Sequence, residues 1–396
     1  MNKRSISVLK YISLFGGLIF YAPVALLVRT RMGITYSQFF LLQAVLSISI
    51  FIFEVPCGYI TDKIGYRKTL ILNSLFTFLA RILMVFAGNF LFFSIEAVCE
   101  GISIALYSGT MSGYIYQQSE EEFVHALSVV DNYSHLGFIL STLLFPIIYS
   151  MSDINGLLVL TALCSFIGFL MAFRLPKEKK HTAHEKIHFS FHLADIPISL
   201  FIGMIDMSFL IINFFYVEIL VELHINESYI SLLILLYTTV QLSVPKLTRK
   251  FGENNLFQKI CGCLGITTLF LFAVSLCHSR IVLLPMLFLP TMLSLLSVYF
   301  EKYQNNYIDT MGYGQQRATI LSCYNMSANM IEIFFLFGSA NLKEMQVHDI
   351  FAILGVTFSV ILTFILIFQT KKKIIIQNAW GFSKPHAFLY VITIYA

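Results

Sequence analysis

Charge is what this sequence has least of. Lys, Arg, Asp and Glu make up 12% of its 396 residues, against 57% hydrophobic ones, and the mean hydropathy is +0.78. So few charges cannot cover that much apolar side chain in water. A water-soluble globular fold is excluded, and lipid is left as the outer solvent. The net charge of +4 is too small to read as a nucleic-acid footprint, so no nucleic-acid partner is expected. The seven cysteines, at 57, 99, 164, 261, 263, 277 and 323, are scattered through apolar segments. They form neither a disulfide framework nor a zinc pattern, and Cys261 and Cys263 read as small helix-packing residues. A phosphate-binding loop, a nucleophile with its base and a metal-ligand cluster are also missing, so an enzyme, a cofactor and a metal are not expected. The basic start resembles a secretory leader, but its apolar run is too long and is read as a retained first helix.

What fills the chain instead is long apolar runs. A bilayer core about 30 Å thick needs about 20 mostly apolar residues per helix. Runs that long fall at 8–28, 37–60, 70–88, 90–114, 126–150 and 154–174, and again at 195–221, 228–245, 257–277, 280–300, 317–340 and 348–370. The polar stretch LPKEKKHTAHEKIHFSFHLAD separates the two sets. The expected fold is therefore an all-α polytopic membrane protein of 12 transmembrane helices. It divides into an N-terminal six-helix bundle over 1–174, a cytoplasmic linker over 175–194, a C-terminal bundle over 195–370 and a cytoplasmic tail over 371–396. With the N-terminus inside, 21 Lys and Arg fall on the cytoplasmic side and 4 outside, and Arg81 lies within a span. That bias places both termini in the cytoplasm of a multi-pass protein of the cytoplasmic (inner) membrane. In the linker, His181, His184, His188 and His192 share one helical face, and a solvated helix accounts for them better than a metal site.

Five charged residues crowd the stretch EVPCGYITDKIGYRKTL, at the turn between the second and third runs. Gly58 would let a helix from the other half approach its backbone, Asp62 can face the positive end of such a helix, and Arg67 and Lys68 would hold the cytoplasmic surface. The run Gly58, Asp62, Gly65, Arg67, Lys68 closely resembles the loop motif G-x-x-x-D-r-x-G-r-k/r of the major facilitator superfamily. Bacterial drug-efflux members are the nearest resemblance. The resemblance implies a secondary transporter in which this loop latches the two halves while the protein is open outward. VPKLTRKFGENN, residues 244–255, is a fainter copy in which Gly252 aligns with Gly65, Pro245 with Gly58, and Arg249 stands where Asp62 does. On that alignment only the first half carries an acidic latch. GYGQQRATILSCYNM resembles the loop entering helix 11 in bacterial members, and Arg317 is expected to meet Glu120, Glu121 and Glu122.

Charges inside spans are costly and should face a cavity or a partner. Arg81 on helix 3 falls at the depth of Glu100 on helix 4, where Glu96 lies one turn away, so a pair is expected. Helix 7 carries Ser199, Asp206 and Asn213 at seven-residue spacing. Helix 11 carries Ser322, Asn325, Asn329 and Glu332, and helix 5 carries Asp131, His135 and Thr142. Glu54 and Glu218 read as interfacial. The stripes are read as walls of a wet central cavity, with Asp206 and then Glu332 as proton or cation sites. A role as glue between helices is the plain alternative for any one of them. The leading function is a proton-coupled exporter of a small amphipathic compound, acting as a monomer on a small-molecule substrate and protons in the lipid bilayer. An importer or facilitator of a polar metabolite, or a non-transporting membrane partner or sensor, are the alternatives.

Overall fold

The computed structural model describes residues 3–22, 25–176, 195–225, 230–339 and 346–378. The linker from residue 177 onward, with its four histidines, and the tail beyond 378 lie outside the described residues. So does the side chain of Glu332.

Thirteen α-helices make up the described chain. In the first set, α1 (Lys3–Gly17) and α2 (Ala25–Arg31) are followed by α3 (Tyr36–Ile64), α4 (Tyr66–Phe86), α5 (Phe90–Gln118) and α6 (Phe123–Ala172). In the second, α7 (Ile196–Glu222), α8 (Ile230–Gln241), α9 (Val244–Phe251), α10 (Leu256–Leu276), α11 (Leu283–Thr310), α12 (Arg317–Ser339) and α13 (Val347–Asn378) follow. Among the described residues, eight stretches are long and apolar enough to cross a membrane. One of them, Glu120–Ala172, has 53 residues, or about 80 Å of helix, enough for two crossings. It parts at Asp153, whose φ of 52° is not helical. With α1/α2 and α8/α9 each counted as one interrupted segment, the chain makes the expected twelve.

Local sequence explains most of the ends. Thr35 and Gln38 form a capping box at the start of α3, and Asn89 accepts from the Phe92 N–H at 3.1 Å to start α5. Gly65 and Gly252 close α3 and α9 with φ of 95° and 67°, a region open to glycine at little cost. Two expected spans are broken. The run 8–28 stops at Gly17, where a β-carbon would lie 2.2 Å from the Ser134 carbonyl oxygen; α1 and α6 cross there backbone to backbone, and the freed Phe20 N–H bonds Thr161 Oγ1 at 3.1 Å. The run 228–245 bends after Gln241, where the Leu242 carbonyl accepts from Asn132 at 3.1 Å. At the other end of the chain, residues 371–378 continue α13 instead of starting a separate tail.

The helices of the first set pack mainly among themselves, α1 on α6 and α5 on α3 and α4. Those of the second do likewise, α10 on α13 and α12 on α7. Between the sets, α12 lies on α3 and α5, while α6 lies on α8, α9 and α11. Those cross-set seams frame the site.

Candidate transport site and gate

At one end of the bundle α3 meets the start of α12. The first N–H groups of a helix have no partner within it and carry partial positive charge. Asp62 supplies both acceptors: Oδ1 takes the Ala318 N–H at 3.1 Å, and Oδ2 takes the Thr319 N–H at 2.8 Å and its hydroxyl at 2.5 Å. Gly58 lets the helices come this close, since a β-carbon there would sit 2.7 Å from Ser322 Oγ and 2.9 Å from the Ala318 carbonyl. Arg67 turns back onto its own set, donating to the carbonyls of Leu175 at 2.6 Å and Phe173 at 2.9 Å beyond the end of α6. Lys68 is exposed.

The fainter copy of this turn is also acidic, which corrects the expectation of one latch. Glu253, immediately after Gly252, accepts the Val124 N–H at 2.6 Å and also bonds the His125 backbone. These are the second and third residues of α6, as Ala318 and Thr319 are of α12. Alignment on Asp62 missed it because the carboxylate moved from three residues before the glycine to one after it. Burial pushes the Glu253 carboxyl above its ordinary range, with Lys302, 3.5 Å away, and the Val124 N–H pulling the other way. Glu253→Gln should speed hydrogen exchange of the Val124 and His125 amides by about tenfold, the loss of one charge-assisted bond; unchanged protection would mean that α6 is capped by something else.

Arg317 does not meet the acidic turn. It bonds Asn305 Oδ1 at 2.7 Å and pairs with Asp309, near the end of α11. Lys302 takes the place expected for Arg317, donating to the Glu120 carbonyl. Both cations pack on the Tyr116 ring, 4.1 Å from its centroid for Arg317 and 4.7 Å for Lys302.

Within the first set, Arg81 donates to Glu100 at 2.7 Å and to the Tyr21 hydroxyl at 2.8 Å, and lies 4.0 Å from Glu96. Glu96, 1% exposed, is held by Arg29 at 3.2 Å. Arg29 follows the first expected span, and α2 turns it inward. Two cations and two anions thus balance in one buried cluster.

One cavity lies between the sets. It holds about 290 Å³, and carboxylates reach it from four helices: Glu54 on α3, Asp131 on α6, Asp206 on α7 and Glu301 on α11. Asp131 and Asp206 both lie within electrostatic reach of Glu301. Asn325 and Asn329 of α12 complete the wall. A second space of about 550 Å³, lined by Asn213, His135 and Tyr237, and a third of about 340 Å³, lined by Arg81 and Glu100, adjoin it at Tyr107. The Tyr237 hydroxyl donates to Asn213 at 3.3 Å.

Sequence reasoning misplaced two of these acids. Glu54 is not interfacial: it is 1% exposed and takes hydrogen bonds from Ser108 and Asn325. Glu301 was overlooked because the apolar run was ended at 300, whereas α11 continues to Thr310. Ser297, Glu301 and Gln304, spaced four and three, form one helical face and were the signal available.

A helical membrane protein with a polar cavity between two sets of helices, latched at one end, has the form of a transporter. The sequence profile of the Major Facilitator Superfamily matches residues 8–336, and the chain belongs to that family. It is a secondary transporter, not an enzyme. Among solved structures, it is similar to a major facilitator transporter, FucP, in the outward conformation, with a TM-score of 0.67 and 11% identity, covering 90% of this chain and 97% of that one. A point variant of the same E. coli protein, described as a fucose:proton symporter, matches with a TM-score of 0.65 and 12% identity, over the same shares of the two chains. No curated protein matches the sequence.

Proposed function

We propose that this chain exports a small amphipathic compound across the cytoplasmic membrane in exchange for protons, by alternating access to the central cavity. The observation that carries the reading is the cavity itself. Acidic groups from four helices face a space with Ile50, Ile104 and Ile202 on its walls, so one site offers both proton-exchanging groups and an apolar surface. Asp206 is the proposed proton site, with Asn213, Asn325 and Asn329 contacting substrate and Arg81, Glu96 and Glu100 holding the adjoining space in shape. Glu332 is a further proposed member of this path, on the same helix as the two asparagines. Residues 1–174 and 195–370 are the two bodies that rock, joined by 175–194. The excess of Lys and Arg on one side supports a cytoplasmic latch and cytoplasmic termini.

Inside-out vesicles test this. An acid-inside gradient should drive accumulation of a dye substrate, a protonophore should abolish it, and Asp206→Asn should remove the difference. Accumulation that ignores the gradient would overturn proton coupling. A second reading, proton-linked import, is favoured by the likeness to a structure described as a fucose:proton symporter. It predicts that substrate and protons move in the same direction across the vesicle membrane.

A further inference from the structure

Tyr107 stands well inside α5, yet it is 36% exposed. That exposure is to the interior. Tyr107 lines the central cavity, the 550 Å³ space and the 340 Å³ space, and no other residue lines all three. Ile104, one turn before it on the same face, lines two of them, the central cavity and the 340 Å³ space. The Tyr107 ring is thus a wall shared by three rooms.

The rooms on its two sides differ in chemistry. On the central side are Asp131 and Glu301, both within electrostatic reach of the Tyr107 phenol. On the other lie Thr77, Ser103 and the pair of Arg81 and Glu100. Glu100 is held by Arg81 but keeps 23% of its side chain exposed. A charged compound that reached it would compete with a matched ion pair, and breaking such a pair from one side is costly. Joining the central cavity to this space would also more than double the room open to a compound. Tyrosine suits such a wall. It has only two side-chain torsions, so a broad ring is held at little entropic cost, and a helix disfavours one of the three χ1 wells.

We propose that Tyr107 is a specificity-determining partition. Its ring confines a transported compound to the central cavity and the 550 Å³ space and keeps it from the Arg81–Glu100 pair. This rests on the proposed function only in placing the substrate in the central cavity. The limit comes from the width of the ring, so phenylalanine preserves it and alanine removes it.

Thiol labelling reads the partition directly, on purified protein with no gradient. Two single-cysteine chains are compared. One carries Thr77→Cys, beyond Tyr107 from the central cavity; the other keeps only Cys164, 8% exposed in an apolar core of the first set. The probe is 2-(trimethylammonio)ethyl methanethiosulfonate, a small organic cation. Labelling of the Thr77→Cys chain should accelerate at least about tenfold with Tyr107→Ala, because the rate follows the fraction of time the path is open. With Tyr107→Phe it should keep the parent rate, and Cys164 should respond to neither. Tyr107→Leu also lacks the ring; it should act as alanine does and stands in for it if that variant fails to fold. Equal labelling at position 77 with tyrosine and with alanine overturns the proposal. So does phenylalanine behaving as alanine, or Cys164 accelerating by the same factor, which would mean that the bundle had merely loosened. Because no transport is measured, failure of proton-driven export leaves this result intact. Conversely, gradient-driven dye movement together with equal labelling keeps the transporter reading and removes the partition.

Discussion

Asp62→Asn should open the latch end of the bundle. The carboxylate accepts two backbone N–H groups and one hydroxyl at the start of α12, with the helix dipole adding to its charge. Asparagine keeps the size but loses the charge and one acceptor. The expected loss is about 1.5–3 kcal/mol, or roughly ten- to hundredfold in the balance between latched and unlatched forms. A reporter is already in place: Cys323 lies on α12, one residue after Ser322, and is 3% exposed. In a chain whose other cysteines are replaced, maleimide labelling of Cys323 should accelerate by that factor in Asp62→Asn. Gly58→Val should act in the same direction by a different cause, because its side chain would occupy the space of Ser322 and the Ala318 carbonyl. Labelling at the parent rate in both variants would mean that the seam between α3 and α12 does not open.

The largest loss of stability is expected from Arg81→Met. Arg81 is 8% exposed and holds Glu100, with Glu96 4.0 Å away and itself shared with Arg29. Removing it leaves two carboxylates, Glu96 buried and Glu100 partly so, to one cation. Breaking such a pair from one side costs about 3–5 kcal/mol, whereas replacing both partners with apolar groups of similar size costs much less. Thermal unfolding of the purified protein should therefore show Arg81→Met far less stable than the parent, and the double variant Arg81→Met/Glu100→Leu more stable than the single one. A double variant as unstable as the sum of its parts would mean that the two charges do not interact.

How much of this was readable in advance depended on the range of the interaction. The pairing of Arg81 with Glu100 was within reach because each side chain's depth follows from its place in an apolar run. Asp62 was legible because its spacing from Gly58 and Gly65 is local. Glu253 performs the same task at a different offset from its glycine. That equivalence exists only in the meeting of two helix ends 129 residues apart, and no spacing rule could show it. Arg317 was assigned the wrong partner for the same reason. Opposite charges at one end of a bundle are many, and only packing around Tyr116 decides that Lys302 reaches Glu120 while Arg317 stays with Asp309.

By itself the sequence determined the solvent, the number of crossings, the family and the loop that closes one end. Each follows from composition or from residues a few turns apart, where helix geometry alone sets the distance. Tertiary structure decided where the two broken segments bend, the inward turn of Arg29, and the gathering of Glu54, Asp131, Asp206 and Glu301 around one space. Those carboxylates come from four helices, two in each set. Only the packing of one set of helices against the other gathers them around one space.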